Sequence, residues 1–177
     1  DRVPMDYWGT PEISQKIMRH FQTEDRYELA RKLHIDLAYS VYATYVGPEP
    51  PPDHDIFGIR YRTVDYSDGT YREACHAPLA EYLSVDEIIE NYRWPSADWW
   101  NTSNVLEQVE RFADQPLVVG GSEPMLLYKN LRGEAQAMMD LALHPDIGHY
   151  CLEKLFDLAY QQTFHFYAAY TIAHNRL

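Results

Sequence analysis

Apolar residues change their spacing several times along the chain, and each change marks an element. Thr10-Pro11-Glu12 is a helix start, with a cap, a proline at the first helical position and an acid in the first turn. Ile13, Ile17, Met18 and Phe21 then share one face. Thr23-Glu24-Asp25 opens a second helix with Tyr27, Leu29, Ala30 and Leu33 inward. The run from Ile35 to Val41 is short and mostly apolar, which fits a buried strand. Gly47 to Pro52 holds four prolines and reads as a stiff loop. The spacing predicts further helices over Asn104–Arg111, Arg132–Leu143 and about Ile147–Tyr170. Pro116 to Gly121 is a second apolar strand.

Between the two apolar strands the period drops to two. Arg60, Arg62, Val64 and Tyr66 alternate with Tyr61, Thr63, Asp65 and Ser67, and Asp68-Gly69 follows. Asp-Gly between two β-prone runs signals a tight hairpin, because a primed turn needs positive φ. One face is charged or polar, so the hairpin is expected half exposed, and Pro78 ends it. Ser84-Val85-Asp86-Glu87 is a capping box for a helix from Val85 to about Tyr92, stopped by Trp94-Pro95. The stretch from Asp55 to Trp100 thus reads as an ornament on the fold, not as its core.

Short apolar strands separated by helices imply a parallel α/β sheet. Two such strands cannot close a barrel or form a doubly covered open sheet. The expectation is therefore a fragment of a longer protein, inactive alone; the alternative is a complete small α+β domain.

Composition narrows the function. The chain has 177 residues and a net charge of −12, which argues against nucleic acid or an anionic membrane as partner. No apolar run is long enough to span a bilayer. Two cysteines, Cys75 and Cys151, make no disulfide framework, so reduced thiols and a cytoplasmic location are expected.

Six segments carry a family likeness in their order and spacing. They are D-R-V-P-M-D-Y-W at residues 1–8, L-H-I-D-L-A at 33–38, F-G-I-R-Y through H-A-P-L-A at 57–80, W-P-S-A-D-W-W at 94–100, V-V-G-G-S-E-P at 118–124 and L-R-G-E-A-Q-A-M-M-D-L-A-L-H-P-D at 131–146. Together they resemble the uroporphyrinogen decarboxylase superfamily, which includes cobalamin-dependent methyltransferases. The resemblance implies an α/β fold, the N-terminal part of a TIM-like (β/α)8 barrel with an inserted β-hairpin. Residues 33–121 would hold the first two barrel strands with the hairpin at 59–77 inserted, and 122–177 would be helices.

Two departures favour the methyltransferase branch. Decarboxylases hold substrate carboxylates with an Arg-rich N-terminal motif; here Met5-Asp6-Tyr7-Trp8-Gly9 stands at that place. They also carry an Asp just after the first strand, where this chain reads Ser40-Val41-Tyr42-Ala43. The resemblance implies a methyl group moved to or from a thiol or corrinoid. The alternatives are tetrapyrrole decarboxylation and a non-catalytic interaction domain. Zinc is expected only in the complete protein, with a corrinoid as substrate or a corrinoid protein as partner, and a homo-oligomer is compatible. His149-Tyr150-Cys151 has the look of a ligand pair, but on a helix positions two apart point about 200° apart.

In such barrels the site lies at the C-terminal strand ends. Glu123, after Gly120-Gly121, is the candidate acceptor or general acid/base, or else a helix cap before Pro124. Tyr42 and Tyr45 follow the first strand as pocket-lining candidates. Asp6, Tyr7 and Trp8 occupy the segment that holds substrate in the decarboxylases. Asp36 reads as a satisfied buried carboxylate, Arg132 and Asp140 as helix partners, and Trp94, Trp99 and Trp100 as loop packing.

Overall fold

A computed structural model describes residues 3–36, 38–67, 69–113, 116–119 and 123–174, the side chains of 170 and 172–174 excepted. The chain is mixed α/β and mainly helical. Thr10 caps α1 (Pro11–His20), accepting from the Ile13 amide. The cap of α2 (Arg26–Lys32) is Asp25, which accepts from the Tyr27 amide at 2.8 Å. Thr23 lies before the helix; its hydroxyl donates to Glu28 at 2.6 Å and accepts from the Asp25 amide.

The two apolar runs do meet. β1 (Tyr39–Ser40) pairs in parallel with β6 (Leu117–Val118), Tyr39 opposite Leu117 and Ser40 opposite Val118. The ladder is shorter than the runs suggest. Its N-terminal end is diverted: the Ile35 amide donates to Ala30 and the Asp36 amide to Met5. Leu37 and the glycine pair 120–121 lie outside the described residues.

One face of this sheet is covered. Val41, Val105 and Val109 are buried together, with Tyr39, Leu117, Phe166 and Ala169 against them. This packs the strands on α4 (Val105–Arg111) and α7 (Pro145–His174). No helix among the described residues covers the opposite face, and Val118 is 48% exposed.

The hairpin forms over β3 (Arg60–Tyr66) and β4 (Gly69–His76), with Tyr66 opposite Gly69 and an irregularity between Arg60 and Tyr61. Asp68, in its turn, lies outside the described residues. Arg62 grips Glu73 across the strands with two donors, at 2.7 and 2.8 Å, in solvent. A second pairing has no counterpart in the sequence reading: β2 (Thr44–Tyr45) runs antiparallel to β5 (Trp100–Asn101).

The inserted stretch is not an ornament. Ile59, Leu79 and Ile88 are fully buried, and Phe57 and Ala97 join them. They pack on Tyr128, Leu131, Ala137, Ile147, Cys151 and Leu155 to make the larger core. The hairpin blades are solvated, but their base and α3 (Val85–Asn91) are the floor on which α5 (Pro124–Arg132), α6 (Glu134–Leu143) and α7 rest. Asp55 shapes that base, accepting from the Phe57 and Ile59 amides and the Tyr61 hydroxyl.

The helix expected over Arg132–Leu143 is α6, which starts at Glu134, and Arg132 is the last residue of α5. Gly133, at φ 84° and ψ 137°, separates α5 from α6. Only glycine adopts that backbone readily, so the direction change is written in one residue. Arg132, just before it, is buried. Its Nε donates to Asp140 Oδ2 at 2.5 Å, and its Nη1 donates to the Leu79 and Tyr82 carbonyls. Gln136 and Tyr128 also donate to Asp140. One guanidinium thus ties α5 to α6 and to the inserted stretch.

Candidate functional site

The N-terminal segment builds the most developed surface feature. Asp36 and Met5 exchange two hydrogen bonds, Asp36 N to Met5 O at 2.8 Å and Met5 N to Asp36 Oδ2 at 2.9 Å. This clamps residues near Met5 to the chain just before β1. Asp36 is therefore an exposed tether, not the buried carboxylate the strand reading implied.

Beyond the clamp, Asp6 organises its neighbours. Its carboxylate accepts from the Tyr7 amide at 2.7 Å and from Trp8 Nε1 at 2.5 Å. The Tyr7 hydroxyl bonds Ser14 on α1 at 3.3 Å. Tyr7 folds back so closely over Gly9 that a Cβ there would lie 2.1 Å from its hydroxyl oxygen. Trp8 remains 92% exposed.

These residues border an open groove of about 490 Å³. Its walls are Asp6, Tyr7, Trp8 and Gly9 on one side and Asp36, Ala38, Ser40 and Val118 on the other. The groove therefore runs along the sheet face that no helix among the described residues covers. Arg26, the first residue of α2, also lines it.

Tyr42 stands one step further along. It shares a smaller crevice with Arg26, Tyr39 and Ser40. It also borders an apolar cavity of about 340 Å³ between the Phe57 turn, Trp100 and α7. Its amide and carbonyl are held by the Gln108 side chain of α4, at 3.2 and 2.8 Å.

The remaining candidates lie elsewhere. Tyr45 donates to the Pro48 carbonyl at 2.7 Å and meets the Trp99 and Trp100 rings edge-on. It fastens the proline loop rather than lining the groove. Glu123 is exposed at the N-terminus of α5, makes no side-chain capping bond, and lines neither groove nor cavity. The structure thus gathers Asp6, Tyr7 and Trp8, sets Tyr42 beside them, and leaves Tyr45 and Glu123 apart.

Sequence reasoning missed Arg26 and Ser40. Ser40 carried a signal: it is the polar position between Tyr39 and Val41 in an apolar run, and so faces away from the helices. Arg26 carried none, because it resembles any charged residue in a first helical turn.

His149 and Cys151 face different surroundings. Cys151 is fully buried, and burial pushes its thiol up to about 12, while His149 is exposed. No group of three His, Cys, Asp or Glu among the described residues is arranged to hold a metal ion. Nor is any helix among them long and apolar enough to cross a membrane.

No protein-family model, curated protein or solved structure matches this chain.

Proposed function

We propose that this chain is the N-terminal part of a uroporphyrinogen decarboxylase-like (β/α)8 barrel, of the cobalamin-dependent methyltransferase branch. In this reading the enzyme moves a methyl group to or from a thiol or a corrinoid. The observation that carries the reading is the β1–β6 pair. Two strands separated by a hairpin and two helices lie parallel and adjacent, with helices on one face and a substrate-sized groove on the other. That is the relation between the first two strands of a barrel, where one face looks to helices and the other inward. Parallel pairs otherwise have both faces covered.

The groove's chemistry supports the branch. Its N-terminal wall offers a carboxylate and two aromatic rings, and the Asp6 carboxylate is already engaged by Tyr7 and Trp8. Such a wall suits an apolar or conjugated body better than a polycarboxylate, which calls for several forked guanidiniums. The zinc such enzymes use finds no matching set among the described residues, so no step is assigned to it here.

The test uses the purified protein at its native length, with methylcobalamin and 2-mercaptoethanesulfonate. Loss of the methylcobalamin spectrum, together with S-methyl product by mass spectrometry, is the expected result. Release of CO2 from uroporphyrinogen without methyl transfer would place the protein in the other branch. Neither activity would favour an interaction domain.

A further inference from the structure

Two exposed side chains line the groove. The first is Trp8. An indole 92% exposed ordinarily samples several rotamers, yet here its Nε1–H is fixed on the Asp6 carboxylate. Asp6 is itself fixed by the Tyr7 amide, and the segment is clamped by the Asp36–Met5 pair. The bond favours one orientation of a large flat ring whose apolar face is uncovered. Ordering such a ring before a partner arrives removes part of the entropy that binding would otherwise cost.

The second is Arg26. It lies on the groove, on the crevice shared with Tyr42, and on a neighbouring hollow bordered by Tyr7 and Gly9. The groove's two carboxylates are occupied, Asp6 by Trp8 and Tyr7, and Asp36 by the Met5 amide. Arg26 makes no ion pair with any described residue. Most of the described arginines make no ion pair, so what sets Arg26 apart is that it lines three adjoining hollows at once. Its fork of donors matches a carboxylate in the plane of a bidentate pair. The Ser40 side chain, on the uncovered sheet face, lies on the same groove and supplies a further hydroxyl.

We infer that this groove is a binding site for a flat aromatic carboxylate, with the ring on Trp8 and the carboxylate on Arg26. Tyr7 and Ser40 border the bound molecule, and Asp6 is a positioning residue that acts through Trp8. The inference stands on the groove's own geometry and holds whichever reaction the protein performs.

The probe is 2-naphthoate, with neutral 2-naphthamide as the control for charge. Binding is measured by calorimetry and by quenching of tryptophan fluorescence. Wild-type protein should bind naphthoate saturably and at least about tenfold more tightly than naphthamide, the scale of one charge-assisted hydrogen bond. Arg26→Gln should remove that preference, and Arg26→Lys should restore part of it. Trp8→Ala should weaken both probes and abolish most of the quenching. Asp6→Asn should weaken naphthoate less than Trp8→Ala does. Arg26 and Trp8 are exposed, so circular dichroism should show all variants folded. Equal affinity for the two probes, or unchanged naphthoate affinity in Arg26→Gln, would overturn the proposal.

Discussion

Arg132 and Asp140 form an ion pair at 2.5 Å with both side chains withdrawn from solvent, 1% and 0% exposed. The pair is saturated rather than isolated. Tyr128 and Gln136 complete the carboxylate, and the Leu79 and Tyr82 carbonyls complete the guanidinium. Removing one partner leaves an uncompensated buried charge, a change that typically costs about 3–5 kcal/mol. Asp140→Ala should lower the unfolding free energy by that order in urea titrations. The double change Arg132→Met with Asp140→Leu should recover much of it, because hydrophobic replacement of a buried pair is often neutral. A loss in the double variant as large as in the single one would contradict this.

The same pair gives an acid limb to stability. Burial alone would raise the Asp140 pKa. The hydrogen bonds from Arg132, Gln136 and Tyr128 and the Arg132 charge outweigh it and hold the pKa below the usual carboxylate range. Its stabilisation is therefore fully present above the unfolded value of about 3.9 and is lost as pH falls through the lower folded value. Asp140→Asn should flatten that part of the stability–pH curve, while leaving its shape above about pH 5 unchanged. A curve of wild-type steepness in the variant would show that other groups carry the acid limb.

Leu79 and Thr63 belong to the same inserted stretch but should respond differently. Leu79 is fully buried, and Leu79→Ala should cost about 2–5 kcal/mol through the cavity it leaves. Thr63 is an exposed residue on β3, and Thr63→Ala should stay within about 0.5 kcal/mol. Comparable small costs at both positions would restore the view of this stretch as an ornament.

Gly133 is the hinge between α5 and α6. At φ 84° and ψ 137° an added Cβ would be strained even though it would meet only Ala77, at 4.0 Å. Gly133→Ala should therefore destabilise by about 1–3 kcal/mol from the backbone alone. Thermal denaturation measures this, and an unchanged or raised midpoint would mean that α5 and α6 merge into one helix at no cost.

The thiols should separate cleanly. Cys75 is exposed, whereas Cys151 is buried and its thiol is pushed up to about 12 by desolvation. A disulfide reagent near pH 8 should label one thiol per folded chain, at Cys75, and the second only on unfolding, since the thiolate is the nucleophile. Simultaneous labelling of both would show that the α7 packing opens readily.

Local signals were legible in the sequence where a single residue decides the outcome. Thr10 and Ser84 cap their helices by their own chemistry. The hairpin forms where two β-prone runs were legible, but Gly69 is a strand residue opposite Tyr66 and has no positive φ, so it is not the turn glycine the reading expected. What escaped was set by partners distant in the chain. Alternation along β3 and β4 hides the fact that Ile59 and Leu79, at the base of the hairpin, meet Leu131 and Leu155. The pattern set the start of α6 two residues early, because the φ of Gly133 is not legible in it. In the groove, Asp6, Tyr7 and Trp8 were legible because they cluster in sequence. Arg26 and Ser40 reach the same place only through the fold.

The functional reading rests on β1 and β6 being neighbouring parallel strands with one open side. Amide hydrogen exchange at three consecutive residues tests that relation most directly. The Tyr39 amide donates to the Pro116 carbonyl at 2.7 Å and the Val41 amide to Val118 at 2.9 Å. The Ser40 amide, between them, points to the other edge of β1. In the 177-residue chain, slow exchange at Tyr39 and Val41 with faster exchange at Ser40 is the predicted result, and Ser40 gains protection only where a further strand joins that edge. Fast exchange at Tyr39 and Val41 would contradict the pairing and the groove built on it.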